Sequence, residues 1–213
     1  MKLKTKSYKE QLKEWPEKGH HIMAQFDEEK VIVYQSYRSE IGLFAAENQC
    51  FGGAFSLQRM TWIKPNFLWM MYRNGWGTKV DQEVVLAIHL KREAFVRYLK
   101  KAVHSSYQEE IYRNRETWKA AVKNSDIRLQ WDPDHNPYGD KLERRAIQIG
   151  IRNQELKNYA KVDILEIEDI STFVKEQHQC VLNHQLERLM LPEEKPFFLS
   201  NKDGFKYLKL SNL

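Results

Sequence analysis

Residues Phe55 to Trp76 read FSLQRMTWIKPNFLWMMYRNGW, and the fold turns on how that stretch is folded. Phe67 to Tyr72 is apolar throughout, so periodicity does not separate a buried strand from a buried helix. Pro65, which a first helical turn accommodates, favours the helix, and the buried strand stays as the alternative. Lys64, the residue before it, is biased towards an extended conformation. Asn74-Gly75 and Gly77 end the segment in turns.

Upstream, Val31 to Tyr37 (VIVYQSY) is β-branched and aromatic, as strands are. Ser39 is placed as the N-cap of a helix from Glu40 to about Asn48, with Ile41, Phe44 and Ala45 on one face. Downstream, Glu83 to Leu90 is a strand buried on both faces at its centre. A helix follows over Lys91 to Val103. Asn114 caps a second one to about Lys123, with Trp118, Ala121 and Val122 inward. Asp126 to Trp131 and Arg144 to Ile151 alternate with the period of half-buried strands, on either side of a loop from Asp132 to Asp140. Asn153 to Lys161 reads as helix and Val162 to Ile170 as strand. Ser171 opens the longest helix, which runs to about Leu191 and is stopped by Pro192. The tail reads as a hairpin around Asp203-Gly204. Residues 1–21 read as a polar leader with a short helix before Pro16, and residues 22–213 as one domain. The fold class is α+β: a single domain with a central, mostly antiparallel sheet, flanking helices and a long C-terminal helix.

A chain of 213 residues buries enough surface to need no disulfide or metal staple. Cys50 and Cys180 form no framework and fit a reducing compartment. The charged N-terminus has no apolar signal core, and no run reaches the length of a membrane span, so the reading is cytoplasmic, with no membrane partner. A net charge of +5 favours an anionic partner, a nucleotide or RNA.

VIVYQSYRSEIG, FSLQRMTWIKPNFLWMMYRNGWGTK with DQEVVLAI, IRLQWDPDH and RAIQIGI together resemble the successive blocks of the domain of unknown function family 4291. The resemblance covers Met23 to Ile170 and brings no activity with it. This chain departs from it at Asn66, where the Lys-Pro-x-Phe motif of the family carries Ser.

Asp81-Gln82-Glu83 before its strand is similar to the Glu-x-Glu or Gln-x-Glu strand of ADP-ribosyltransferases. That similarity implies that Glu83 is catalytic and stabilises an oxocarbenium. It also implies that Tyr34, Gln35, Tyr37 and Arg38 hold a dinucleotide, with NAD as the cofactor. The chain departs from that superfamily too: it has no Ser-Thr-Ser strand, and the spacing to Glu83 is short. The residues themselves point to a binding face made of Arg59, Trp62, Lys64, Trp69, Tyr72, Arg73 and Trp76, in which rings stack on bases and cations take phosphates. The competing reading of that block is a Trp and Met core under snorkelling Arg side chains. Arg128, Gln130, Trp131, Asp132, His135, Arg144, Arg145 and Gln148 form a further polar group, with Asp132 and His135 as base and orienter. Glu176, Cys180 and His184 share a helix face but offer one ligand of each type, so no metal site is assigned. The expected function is a nucleotide-using enzyme with an ADP-ribosyltransferase-like site; the alternative is a non-catalytic RNA- or nucleotide-binding module.

Overall fold

The computed structural model describes residues 2–199 and 205–211. Its elements, in chain order, are β1 (Thr5–Ser7), α1 (Tyr8–Leu12), β2 (Gly19–His20), β3 (Met23–Ala24), β4 (Lys30–Tyr37), α2 (Ser39–Asn48), β5 (Thr61–Ile63), α3 (Phe67–Asn74), β6 (Val84–Lys91), α4 (Arg92–Lys101), β7 (Val103–His104), α5 (Arg115–Asn124), β8 (Ile127–His135), β9 (Lys141–Ile151), α6 (Asn153–Asn158), a π-helical turn (Tyr159–Asp163), β10 (Ile164–Asp169), α7 (Ser171–Leu182), β11 (Met190–Pro192), β12 (Lys195–Pro196) and a 3-10 turn (Lys206–Leu208). This is the α+β architecture expected.

Two sheets carry the fold. In the first, β6 lies between β10 and β4, antiparallel to both, with Tyr37 opposite Val84 and Lys30 opposite Lys91. In the second, β9 pairs antiparallel with β8 and β5, and β2 and β7 add short parallel edges. One antiparallel bridge, Tyr34 to Lys64, stitches β4 to the end of β5. The joined sheet therefore runs β10-β6-β4-β5-β9-β8-β7, and β4 and β5 touch at one point only.

Alternation explains the two cores. Val31, Val33, Leu86 and Ile88 face the same side as Ile63, Leu129, Ile147, Ile149 and Ile151, where Phe95, Tyr98 and Leu99 of α4 cover them. Ile32, Tyr34, Val85 and Ala87 face the other side, against Phe67, Leu68 and Met71 of α3 and Val174 and Val181 of α7. On that second face the β5–β9–β8 half carries polar side chains, which is why β8 and β9 alternate in sequence while β6 does not.

The helix expected over Phe67 to Tyr72 is α3. Asn66 caps it, its side chain accepting the Trp69 N–H at 2.7 Å, and Gly75, with φ +59°, ends it. Pro65 sits one residue before the cap. The periodicity is blurred because α3 packs on both β4 and β8, so Phe67 to Met71 are all buried.

Several sequence readings are corrected. The segment read as a polar leader packs into the fold: β1 pairs with β11, and Leu3, Tyr8 and Trp15 are buried in the second core. The helix from Ser171 ends at Leu182, capped by Asn183, and the chain turns back so that Met190–Pro192 becomes β11. β8 runs on to His135 through residues read as loop, leaving a turn at Asn136–Asp140. The N-cap of α2 is Arg38 rather than Ser39. Trp118, Ala121 and Val122 of α5 are only half-buried. The hairpin at Asp203-Gly204 lies outside the described residues. Among the described residues no helix is long and apolar enough to cross a membrane.

Candidate functional site

Beyond the Tyr34–Lys64 bridge the strands β4 and β5 part, and α3 lies across the opening. Tyr34 exchanges backbone bonds with Lys64, 2.7 Å and 3.3 Å. Two residues on, Ser36 points its N–H and C=O the same way. Its neighbour across β6, Val85, is turned to the other side: the Val85 N–H donates to Ser171 Oγ, and its C=O accepts from Ile170, both at 2.9 Å. The Ser36 backbone groups therefore face the opening, and among the described residues they have no partner. Trp62 likewise faces β4 across the gap. Its C=O accepts from the Gln35 side chain at 3.2 Å, and among the described residues its N–H has no partner. Where the ladder should continue, the chain leaves two N–H donors aimed at one space.

That space is a cavity of about 180 Å³ lined by Ser36, Tyr37, Trp62, Lys64, Met70 and Arg73, with Gln35, Met60, Thr61 and Gln82 completing the wall. Its floor is a closed hydrogen-bond network. Gln35 Nε2 lies 2.8 Å from Tyr37 Oη and 2.7 Å from Thr61 Oγ1, and Tyr159 donates to Gln35 Oε1 at 2.5 Å. Burial pushes the Tyr37 and Tyr159 phenols up, so both stay protonated. The wall is positive. Lys64 is 6% exposed, and among the described residues its amine has no hydrogen bond and no ion pair. Burial, helped by the like charge of Arg73, brings it down to about 8, with Asp132 pulling the other way. Asp132 is held in place by the side-chain amides of Gln130 (2.8 Å) and Gln148 (2.7 Å), on the same sheet face. Opposite Arg128, Gly150 has no room for a Cβ, which would stand 2.7 Å from Met60 Sδ and 3.0 Å from the Trp62 ring. The glycine lets the indole lie flat beside the mouth.

Of the residues picked out by sequence, the cavity gathers Gln35, Tyr37, Trp62, Lys64 and Arg73. Tyr34 lies outside it, fully buried against Phe67 with its hydroxyl unpartnered. Arg38 is exposed and paired with Glu40 at 2.9 Å. Arg59 is exposed and does not line the cavity. Glu83 is also exposed, its carboxylate accepting the Asp81 N–H at 3.0 Å; its neighbour Gln82 is the one that reaches the wall. Trp69 and Trp76 are core residues. The Asp132 and His135 pairing does not form: His135 is buried against Tyr72 and Trp69, while Asp132 accepts from Gln130 and Gln148. Ser36, Thr61, Met60, Met70 and Gln82 were not foreseen. Across α3 a hollow of about 340 Å³, lined by Tyr72, Trp76, Tyr138, His178 and His184, offers rings and imidazoles but no buried charge. Among the described residues no group of three or more His, Cys, Asp or Glu side chains is arranged to hold a metal.

No curated protein matches the chain. A family model does, over residues 21–197, taking in α7, β11 and β12 beyond the blocks that carry the likeness in sequence. The chain therefore belongs to the family described as Domain of unknown function (DUF4291).

Proposed function

We propose that the chain is a nucleotide-using enzyme and that the cavity under α3 receives the phosphates. The observation that carries this reading is Lys64, whose amine lines the cavity with no hydrogen bond and no ion pair among the described residues, set beside Arg73 and the Ser36 and Trp62 N–H groups. A buried cation without a partner is costly, and an anion entering the cavity removes that cost. The Arg73 fork and the Ser36 and Trp62 N–H groups suit phosphate oxygens, and the half-buried Trp62 ring suits a base at the mouth.

The same geometry weighs against an RNA-binding face. Stacking on single-stranded RNA requires several exposed ring faces, yet Trp69 and Trp76 are buried, and Tyr72, though exposed, has one face covered by His135 at 3.6 Å between centroids. Glu83 has no part in this reading, because its carboxylate is tied to the turn outside the cavity.

The test is a thermal-shift series with ADP, ATP, NAD, inorganic phosphate and a short RNA. A nucleotide is expected to raise the melting temperature by several degrees, and Arg73→Ala to abolish the rise. Glu83→Gln is expected to leave it unchanged. A rise with RNA alone, or one that Arg73→Ala leaves intact, contradicts the proposal.

A further inference from the structure

We infer that Lys64 is a nucleophile that forms an imine with an aldehyde or ketone carrying a phosphate. The inference rests on the phosphate reading of the cavity and adds the reacting group of the ligand. Three features of the geometry lead to it. The Lys64 amine lines the cavity but is tied to nothing, whereas a lysine with a structural role has a carboxylate or carbonyl partner. The fold buries Lys64 to 6% exposure in a lining that is mostly polar, with Met60, Trp62 and Met70 as its apolar part and Arg73 beside the amine. Burial beside a second cation keeps a lysine unprotonated and reactive. Finally, the sheet face carries one carboxylate near it, Asp132, held by Gln130 and Gln148 and outside ion-pair range. That carboxylate acts on the amine as a charge at a distance and does not fix it in a salt bridge.

The division of labour follows. Arg73 and the Ser36 and Trp62 N–H groups hold the phosphate, and the carbonyl carbon meets Lys64 Nζ. The nitrogen lone pair forms the C–N bond while the C=O π pair moves to oxygen, which takes a proton. The nitrogen gives up a proton to solvent. The carbinolamine oxygen then takes a second proton and leaves as water, and the nitrogen lone pair closes the protonated imine. No oxidant or metal enters the balance. At pH 8 an amine near 8 is about half unprotonated, against well under about 1% for an ordinary exposed lysine.

The experiment uses the whole protein and pyridoxal 5′-phosphate as probe, at equimolar concentration and pH 8. Reduction with cyanoborohydride and peptide mapping by mass spectrometry follow. Lys64 is expected to carry the adduct more than about tenfold above any exposed lysine. Inorganic phosphate is expected to protect it, and pyridoxal, which lacks the phosphate, to label it far less. Labelling spread over the surface lysines with Lys64 no higher than the rest overturns the inference. If nucleotides raise the melting temperature through Arg73 yet Lys64 stays unmodified, the nucleophile fails and the phosphate site stands. If pyridoxal labels Lys64 as well as its phosphate does, and phosphate gives no protection, the phosphate site fails instead. Labelling is read on the unaltered chain, so no outcome depends on a variant folding.

Discussion

At the scale of single residues, the fold tolerates Lys64 at a cost. Its amine titrates near 8 in the folded chain and at 10.5 when exposed. Below pH 8 both states are protonated and the folded state carries the whole burden. Between 8 and 10.5 the unfolded chain holds a proton that the folded one has lost, so stability rises with pH across that window. Above it the burden is gone. Lys64→Met is therefore expected to stabilise the protein by about 3 kcal/mol at pH 7 and to remove that rise. Chemical denaturation of both proteins from pH 7 to pH 11 measures it; equal stability at pH 7 contradicts the burial account. Glu194 is the acidic counterpart. It is fully buried, and burial pushes it up to about 8 against the pull of the Phe67 and Asn66 donors. A carboxyl raised in this way favours the folded state less as pH climbs from 4.5 to 8, and Glu194→Gln is expected to flatten that dependence.

At the scale of elements, α3 is the part on which the site depends. It roofs the gap between β4 and β5, and Met70 and Arg73 come from it. Its first turn is held by a residue far along the chain: Glu194 accepts from Phe67 N at 2.6 Å and from Asn66 Nδ2 at 3.1 Å. Glu194→Ala leaves both donors buried and empty, which costs about 1–3 kcal/mol for each unsatisfied group. The expected result is lower stability together with weaker ligand binding, read by denaturation and thermal shift on the same variant. Unchanged binding would mean that α3 does not set the cavity. The helix was legible only in part: the turn at Asn74-Gly75 marked its end, but an apolar run from Phe67 to Tyr72 left helix and strand open, and Pro65 lies one residue before the cap instead of in the first turn. The cap's partner was not legible at all, because nothing local to Asn66 or Glu194 signals the other. The unpaired N–H groups of Ser36 and Trp62 were equally hidden: Ser36 lies in an ordinary strand pattern, Thr61–Ile63 carries no strand signal of its own beyond the extended bias at Lys64, and only the pairing shows that the two diverge.

At the scale of the whole molecule, the ends of the chain clasp one another and the sheet. Trp15 donates to the Glu194 C=O at 2.9 Å, and Gln11 accepts the Glu194 N–H at 2.8 Å. Arg144, stacked over Trp15 and bonded to the Pro16 C=O, makes a buried pair with Asp134 at 2.7 Å. The first residues looked like a leader because Lys and Glu dominate them. Leu3, Tyr8 and Trp15 become core only through contact with β11 and the sheet, which no local pattern carries. Deleting residues 2–18 is expected to destabilise the protein by more than about 4 kcal/mol, since each of those side chains contributes about 1.5–3 kcal/mol when buried. A melting temperature left unchanged by the deletion would restore the leader reading. The strands β4, β6, β8 and β9 were legible because each keeps its own alternation or apolar run. The site was half legible: Trp62, Lys64 and Arg73 announce themselves by composition, but their convergence is a property of the joined sheet.

The most direct measurement is calorimetric titration of ADP into the unaltered protein and into Arg73→Ala at pH 7.5 and moderate salt. Saturable one-site binding to the unaltered chain, weakened at least about tenfold in the variant, is the predicted result, as removal of one charge-assisted phosphate contact implies. No binding to either, or equal binding to both, would contradict the assignment of the cavity under α3 as a phosphate site.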